Sequence, residues 1–294
     1  MNGILVIRKE QGYTSHDVVA KLRGILHVKK IGHTGTLDPD ATGVLPVCIG
    51  NATKVCDLIM DGDKVYTAGV KLGVTTDTQD ISGTVLSECK PDISLTELLK
   101  AAEHFLGEIL QLTPMYSARK VNGQKLVDLA RKGITVERER KKVRIERIEI
   151  SDYNREEGTF QMLVRCSKGT YIRTLCNDIG ELLGCGACMS SLVRNETTGF
   201  SLKDSHTIDE VKESFDNGTI DSYLIPADSL FGDYGKADVT VQGKPFLQNG
   251  NPLKPEQVSI ACGPEDRIRV YEDGVFKALY ELKGGFYKPV KMFL

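Results

Sequence analysis

The sequence predicts an α+β fold: one large domain on a mixed, largely antiparallel sheet, followed by a small β-rich domain. Three observations carry that expectation. Strand-like alternation and helix-like spacing interleave along the chain without the regular strand-helix repeat of a doubly wound parallel sheet. From about Gly235 the texture shifts to short apolar pieces separated by Gly and Pro, such as GKPF, NGNPLKP and KGGFYKP. The chain has 294 residues, 40% of them hydrophobic, enough for a sizeable core in one large domain with a small companion or in two medium ones.

Taken in order, Gly3 to Arg8 (GILVIR) reads as a strand. Thr14 or Ser15 then caps a helix whose apolar positions Val18, Val19, Leu22, Ile25 and Leu26 follow helical spacing. From Ile31 to Gly43 periodicity stops in a loop rich in Gly and turn-forming residues, and the apolar segment VLPVCIG follows. Lys64 to Gly73, KVRIERIEI and TFQMLVRCS alternate as half-buried strands do. Helices are expected at Leu95 to Leu106, Gln124 to Arg131 and Tyr171 to Leu183. The expected domains are 1–232, with a basic insertion at about 119–147, and 235–294; Ile225 to Gly235 is the expected hinge. Neither an internal repeat nor a low-complexity tract is visible.

Bulk properties narrow the function classes. The N-terminal apolar run is too short for a signal peptide, and no stretch approaches the ~20 apolar residues that span a bilayer, so the expected location is the cytoplasm, with no membrane partner. The eight cysteines then read as reduced thiols. Net charge is -2, but Arg119 to Arg147 holds eleven Lys or Arg against four acids. That segment is suited to a polyanion, since each neutralised phosphate releases counterions; alone, it equally describes a solvated charged face.

The usual catalytic signatures are missing. The chain has no GxxxxGK[ST], HExxH or GxSxG. Asp38-Pro-Asp40 lacks the other ligands of a calcium loop, and Cys185-Gly-Ala-Cys188 is a lone CxxC, so no metal is expected. What remains is the loop with His33, Asp38 and Asp40, flanked by glycines at 32, 35 and 43 that permit close approach of a substrate. Amphipathic patterning does not place an acid between Leu37 and Pro39. Taken alone, Asp38 also reads as a residue capping its own turn.

The segment GHTGTLDPDATGVLP resembles the signature of the TruB family of tRNA pseudouridine synthases. Lys9 with Gly12-Tyr13-Thr14-Ser15 is similar to the family's first motif, Asp63-Lys64-Val65-Tyr66 to its second-strand motif, and Gly169 to Leu175 to the motif with its conserved arginine. The resemblance covers Gly3 to about Arg194, and 235–294 resembles a small PUA-type RNA-binding domain. One departure is Glu10, where the family usually has Pro after the lysine; it bears on the role of Lys9.

The resemblance implies a pseudouridine synthase catalytic domain that acts on a uridine in the T-loop of tRNA without cofactor, metal or guide RNA. Its catalytic residues would be Asp38 as nucleophile, Arg173 as counter-charge and Tyr66 as stacking face and acceptor of the carbon 5 proton. His33, Tyr171, Leu192 and Lys9 would meet the substrate, His33 in the space the flipped base leaves. Arg119, Lys120, Lys125, Arg131 and Lys132 would belong to a thumb closing on tRNA phosphates, mobile until RNA binds. One carboxylate serves three routes equally: attack at the ribose, addition to the base, or elimination through a glycal. A monomer is the default. Rival readings are a guide-directed relative, a noncatalytic RNA-binding protein and an aspartate-based hydrolase.

Overall fold

The structure, a computed structural model, describes residues 1–294. The chain runs through β1 (Gly3–Lys9), α1 (Ser15–Leu26), β2 (Ile31–His33), β3 (Thr42–Ile49) and α2 (Cys56–Met60). β4 (Lys64–Leu72), β5 (Val74–Thr76), β6 (Val85–Glu88), α3 (Leu95–Glu103) and β7 (Gly107–Leu112) follow. Then come β8 (Lys120–Val121), β9 (Gln124–Lys125), α4 (Leu126–Ala130), β10 (Arg140–Asn154) and β11 (Thr159–Cys166). α5 (Ile172–Leu182), β12 (Ala187–Thr197), β13 (Phe200–Ser201) and α6 (Ile208–Asp216) complete the larger part. The C-terminal part holds β14 (Gly235–Val239), α7 (Lys244–Gln248), β15 (Val258–Cys262), β16 (Arg267–Glu272), β17 (Val275–Lys283) and β18 (Phe286–Met292).

Nine strands form the main sheet, ordered β1-β3-β12-β4-β11-β10-β7, with β2 on β3 and β13 on β12. Every pairing is antiparallel except β3 with β12, where Val193 faces Thr42 and Arg194 faces Gly43. The mixed, largely antiparallel α+β architecture matches the reading of the sequence. The C-terminal part is a separate five-stranded sheet, β15-β14-β16-β17-β18, with its own apolar core.

Side-chain alternation explains which strands read as continuous apolar runs. In β1, Leu5 and Ile7 pack with α1 and α6, while Ile4 and Val6 face Phe231, Leu279 and Phe293. β3 divides likewise, Leu45, Val47 and Ile49 one way and Val44 and Cys48 the other. Both strands are covered on both faces, hence GILVI and VLPVCI. β4 and β11 bury one face: Tyr66, Ala68, Val70 and Leu72 meet Phe160, Met162 and Val164 in the core closed by α3 and α5. Thr14 caps α1 in a reciprocal box with Asp17, each side chain accepting the other's main-chain N–H.

Four expectations are corrected. Ile31 to His33 pairs with β3, and β3 begins at Thr42, so the loop spans only 34–41; glycine-rich spacing hid a strand too short to show alternation. Ile225 to Gly235 is no free hinge, because Ile225 exchanges two main-chain hydrogen bonds with Ile4 and Phe231 is buried between the two sheets. The helix expected from Gln124 begins at Leu126, after the hairpin of β8 and β9. The basic insertion leaves the sheet after β7 and returns at Arg140, since Arg140 to Ile145 pair with β7. No helix is long and apolar enough to cross a membrane.

Candidate active site

The 34–41 loop is fastened at many points, as a loop that must hold one side chain in place has to be. The Thr34 N–H and hydroxyl both donate to Pro46 C=O, Leu37 N–H donates to buried Ser15 Oγ at 3.0 Å, and Gly12 N–H donates to Pro39 C=O at 3.0 Å. Lys9 is fully buried beneath it, its ammonium donating to the carbonyls of Pro39 at 3.0 Å, Ala41 at 2.6 Å and Glu10 at 3.1 Å. Arg194, 1% exposed, spans both ends of the loop, Nε donating to Val44 C=O at 2.7 Å and Nη2 to Gly35 C=O at 3.2 Å. Gly43 lies against it with φ of 110°, and a Cβ there would sit 2.2 Å from Arg194 O. Only glycine fits.

So held, Asp38 faces Arg173 in the first turn of α5. Arg173 Nε lies 3.1 Å from Asp38 Oδ2, and its Nη2 donates to Asp38 Oδ1 at 3.3 Å, a two-point pairing. The same guanidinium donates to Thr78 C=O at 3.1 Å, Asp80 Oδ2 at 3.4 Å and Tyr116 C=O at 2.8 Å. Arg173 is 8% exposed on its side chain, Asp38 42%, so the carboxylate is the end of the pair open to a substrate.

Loss of solvation within the pocket walls raises the Asp38 carboxyl from its ordinary value; Arg173 pulls it back down, and Asp80, sharing the same counter-ion, pushes it up. Burial raises the Tyr66 phenol, with Arg194 pulling against that. Burial lowers Lys9 to about 8, and Lys64, whose ammonium donates to Met60 C=O, is also lowered by burial.

Asp38 and Arg173 lie where two cavities adjoin. One, of about 520 Å³, is lined by Tyr66, Tyr171, Leu192 and Arg194 together with Tyr116 to Arg119 of the insertion. The other, of about 660 Å³, runs past Asp40 and Asp80 to Ser190, Ser191 and Arg131. Tyr66 and Leu192 come from neighbouring strands, 9% and 8% exposed. The space suits a flat, partly polar ring, with a carboxylate at one end and an aromatic face on the wall.

Of the residues singled out in the sequence, Asp38, Tyr66, Tyr171, Arg173, Leu192 and Arg119 share the first cavity. Lys9 does not reach it. Its ammonium is spent on main-chain carbonyls, two of the loop and that of Glu10. His33 stands outside both cavities, edge-on to His16 with ring centroids 5.2 Å apart. Lys120 and Lys125 face each other across the hairpin, Arg131 lines the second cavity, and Lys132 is exposed. Sequence reasoning missed Asp80, Arg194, Lys64 and Tyr116. Asp80 sits in a turn-rich stretch where an acid is ordinary, and nothing local links it to Arg173. No group of three or more His, Cys, Asp or Glu converges as a metal site needs.

Residues 23–172 match the model for the TruB family pseudouridylate synthase N-terminal domain, and 173–232 that for the tRNA pseudouridylate synthase B C-terminal domain. The boundary between the two matches falls in the first turn of α5, and β12, which follows that helix, is a central strand of the same main sheet. The tRNA pseudouridine synthase B of Lachnoclostridium phytofermentans is 48% identical over 308 residues, covering 100% of both chains. That of Clostridium tetani is 42% identical over 293 residues, covering 99% of each. Among solved structures, one of a Cbf5-Nop10-Gar1 complex aligns with a TM-score of 0.72 at 23% identity, over 99% of this chain and 85% of that one. A second, of an H/ACA RNP bound to a substrate RNA containing 2'-deoxyuridine, aligns at 0.71 and 22%, over 99% and 85%. At such identities these two show the fold.

Proposed function

The chain belongs to the TruB family of pseudouridylate synthases, and from that premise we propose that it converts uridine to pseudouridine at position 55 in the T-loop of tRNA. The observation that carries this reading is the Asp38–Arg173 pair at 3.1 Å, open toward a cavity walled by Tyr66.

The reaction breaks the bond between ribose carbon 1′ and uracil nitrogen 1, turns the base and forms a bond from carbon 1′ to carbon 5. The proton leaves carbon 5 and nitrogen 1 gains one, so atoms and electrons balance with no redox partner. Asp38 acts as the nucleophile and must be ionised; Arg173, almost fully enclosed, supplies the positive charge that keeps it so. Tyr66 packs on the extruded uracil, and its phenol hands its own proton to nitrogen 1 and takes in exchange the one that leaves carbon 5, while Leu192 and Tyr171 bound the ring. Extruding the base costs roughly a few kcal/mol of unstacking. Phosphate contacts from Arg119, Lys120, Lys125, Arg131 and Lys132 offset it, holding the stem-loop without reading sequence. His33, the last residue of β2 before the 34–41 loop, meets the RNA beside the vacated position. The tRNA, the substrate that the relatives' name gives for them, is met directly, without a guide RNA.

The test incubates wild type and Asp38→Asn with an unmodified tRNA transcript and with a bare T-arm stem-loop, free of metal and guide RNA. Pseudouridine is mapped by carbodiimide treatment and primer extension. A T-loop stop with wild type alone is expected. Tight binding without a stop in either protein would replace the proposal with the noncatalytic RNA-binding reading.

A further inference from the structure

Gln111 lies on β7, an edge strand of the main sheet, opposite Lys141 of β10. At 2% exposed it is one of the few buried polar residues, at a position where the strand's alternation calls for an apolar side chain. A buried amide is costly unless its donors and acceptor are used. Here both ends are used on one residue: Tyr171 N–H donates to Gln111 Oε1 at 2.7 Å, and Gln111 Nε2 donates to Tyr171 C=O at 2.9 Å. The amide thus imitates a neighbouring strand and grips the main chain of Tyr171 from both sides.

Tyr171 is the residue from which α5 starts, and no side chain of its own caps the helix. Arg173 stands two residues further on. Its guanidinium also donates to Tyr116 C=O at 2.8 Å, on the segment that continues from β7 into the insertion. One stretch of chain therefore holds the first turn of α5 twice, by the Gln111 amide behind it and by the Tyr116 carbonyl in front. Glutamine suits the grip because it is planar and both donates and accepts. Glutamate lacks the donor, asparagine is one methylene short, and methionine fills the volume with neither.

We propose that Gln111 is a positioning residue for the reaction: by clamping the Tyr171 main chain it sets where Arg173 meets Asp38. The inference rests on the reading of Asp38 and Arg173 given above. A misplacement of that pair by a fraction of an ångström to 1 Å acts on the chemical step and not on RNA affinity, which is set by the phosphate contacts elsewhere.

The experiment measures single-turnover pseudouridine formation at saturating tRNA, tRNA dissociation constants and thermal melting for Gln111→Met, Gln111→Glu, Arg173→Lys, Gln111→Met/Arg173→Lys and Asp38→Asn. Gln111→Met is expected to slow the chemical step by about ten- to a hundredfold with tRNA affinity unchanged. Gln111→Glu, which keeps the acceptor, is expected between Met and wild type, and stands in if the Met variant does not fold. Because the clamp acts through Arg173, the double variant is expected to be no slower than Arg173→Lys alone, which a merely structural contribution would not produce. Wild-type rates for Gln111→Met at temperatures where it is folded, or losses that multiply in the double variant, would overturn the proposal. Full activity of Asp38→Asn would instead sink the underlying reading, and an inactive Asp38→Asn beside a fully active Gln111→Met would sink the clamp alone.

Discussion

Replacing Arg173 by methionine removes one guanidinium that serves two carboxylates and two carbonyls. Asp38 and Asp80 are then left facing each other without a counter-ion, and the carbonyls of Thr78 and Tyr116 lose their donor. Stripping one partner from a buried ion pair costs about 3–5 kcal/mol. With Asp38 42% and Asp80 18% exposed, water screens part of that, which places the expected loss near the lower end, about 3 kcal/mol. For a chain of this size that is roughly 6–12 °C in Tm. Function is hit through the charge on Asp38. Its carboxyl is already raised from its ordinary value, and Arg173 is the main influence pulling it down. Without Arg173 it rises further, so the acidic limb of the single-turnover rate moves to higher pH. The sign for stability is linked. A carboxyl harder to ionise in the folded than in the unfolded chain keeps its proton longer when folded, so stability falls as pH rises through that window. The Met variant's deficit is therefore smallest in acid and grows toward neutrality. Melting and single-turnover rates from pH 4.5 to 8 measure both. An unmoved acidic limb together with an unchanged Tm would refute the coupling of Arg173 to Asp38.

Two further outcomes are expected. Lys9 is lowered from 10.5 to about 8 by burial, so between those values the unfolded chain binds the proton more tightly and the wild type gains stability as pH rises, by at most about 3 kcal/mol. Lys9→Met lacks that gain, and urea denaturation of both proteins from pH 7 to 10 would show it; parallel curves would contradict it. The insertion brings Arg119, just before a short hairpin, to one active-site cavity and Arg131, the C-cap of a five-residue helix, to the other. Residues 119–142 are expected to gain hydrogen-exchange protection on adding tRNA, and equal protection with and without it would remove the closing thumb.

By resemblance to the TruB family motifs the sequence picked out Tyr66, Tyr171, Arg173 and Leu192; by itself it determined the fold class and the order of most elements. Those signals are local: period-two alternation in β4 and β11, helical spacing in α1, a Thr-Ser cap, and an acid stranded in a glycine-rich loop. The C-terminal sheet was legible in the same way, from short apolar pieces cut by Gly and Pro. What only the tertiary structure decided are partnerships across the chain. Asp80 lies 93 residues from the arginine it shares with Asp38, and its own neighbourhood reads as an ordinary polar turn. Arg194 looks like any strand cation until the parallel pairing of β12 with β3 sets it beneath the 34–41 loop. Lys9 reads as a substrate contact from its motif, yet the loop folds over it and takes two of its three hydrogen bonds, the third going to Glu10 C=O. Gln111 breaks the pattern of its strand for a reason 60 residues away. A backbone period is written in consecutive side chains, whereas a hydrogen bond or an ion pair needs two groups within about 3 Å, and only the packing of the sheets says which two.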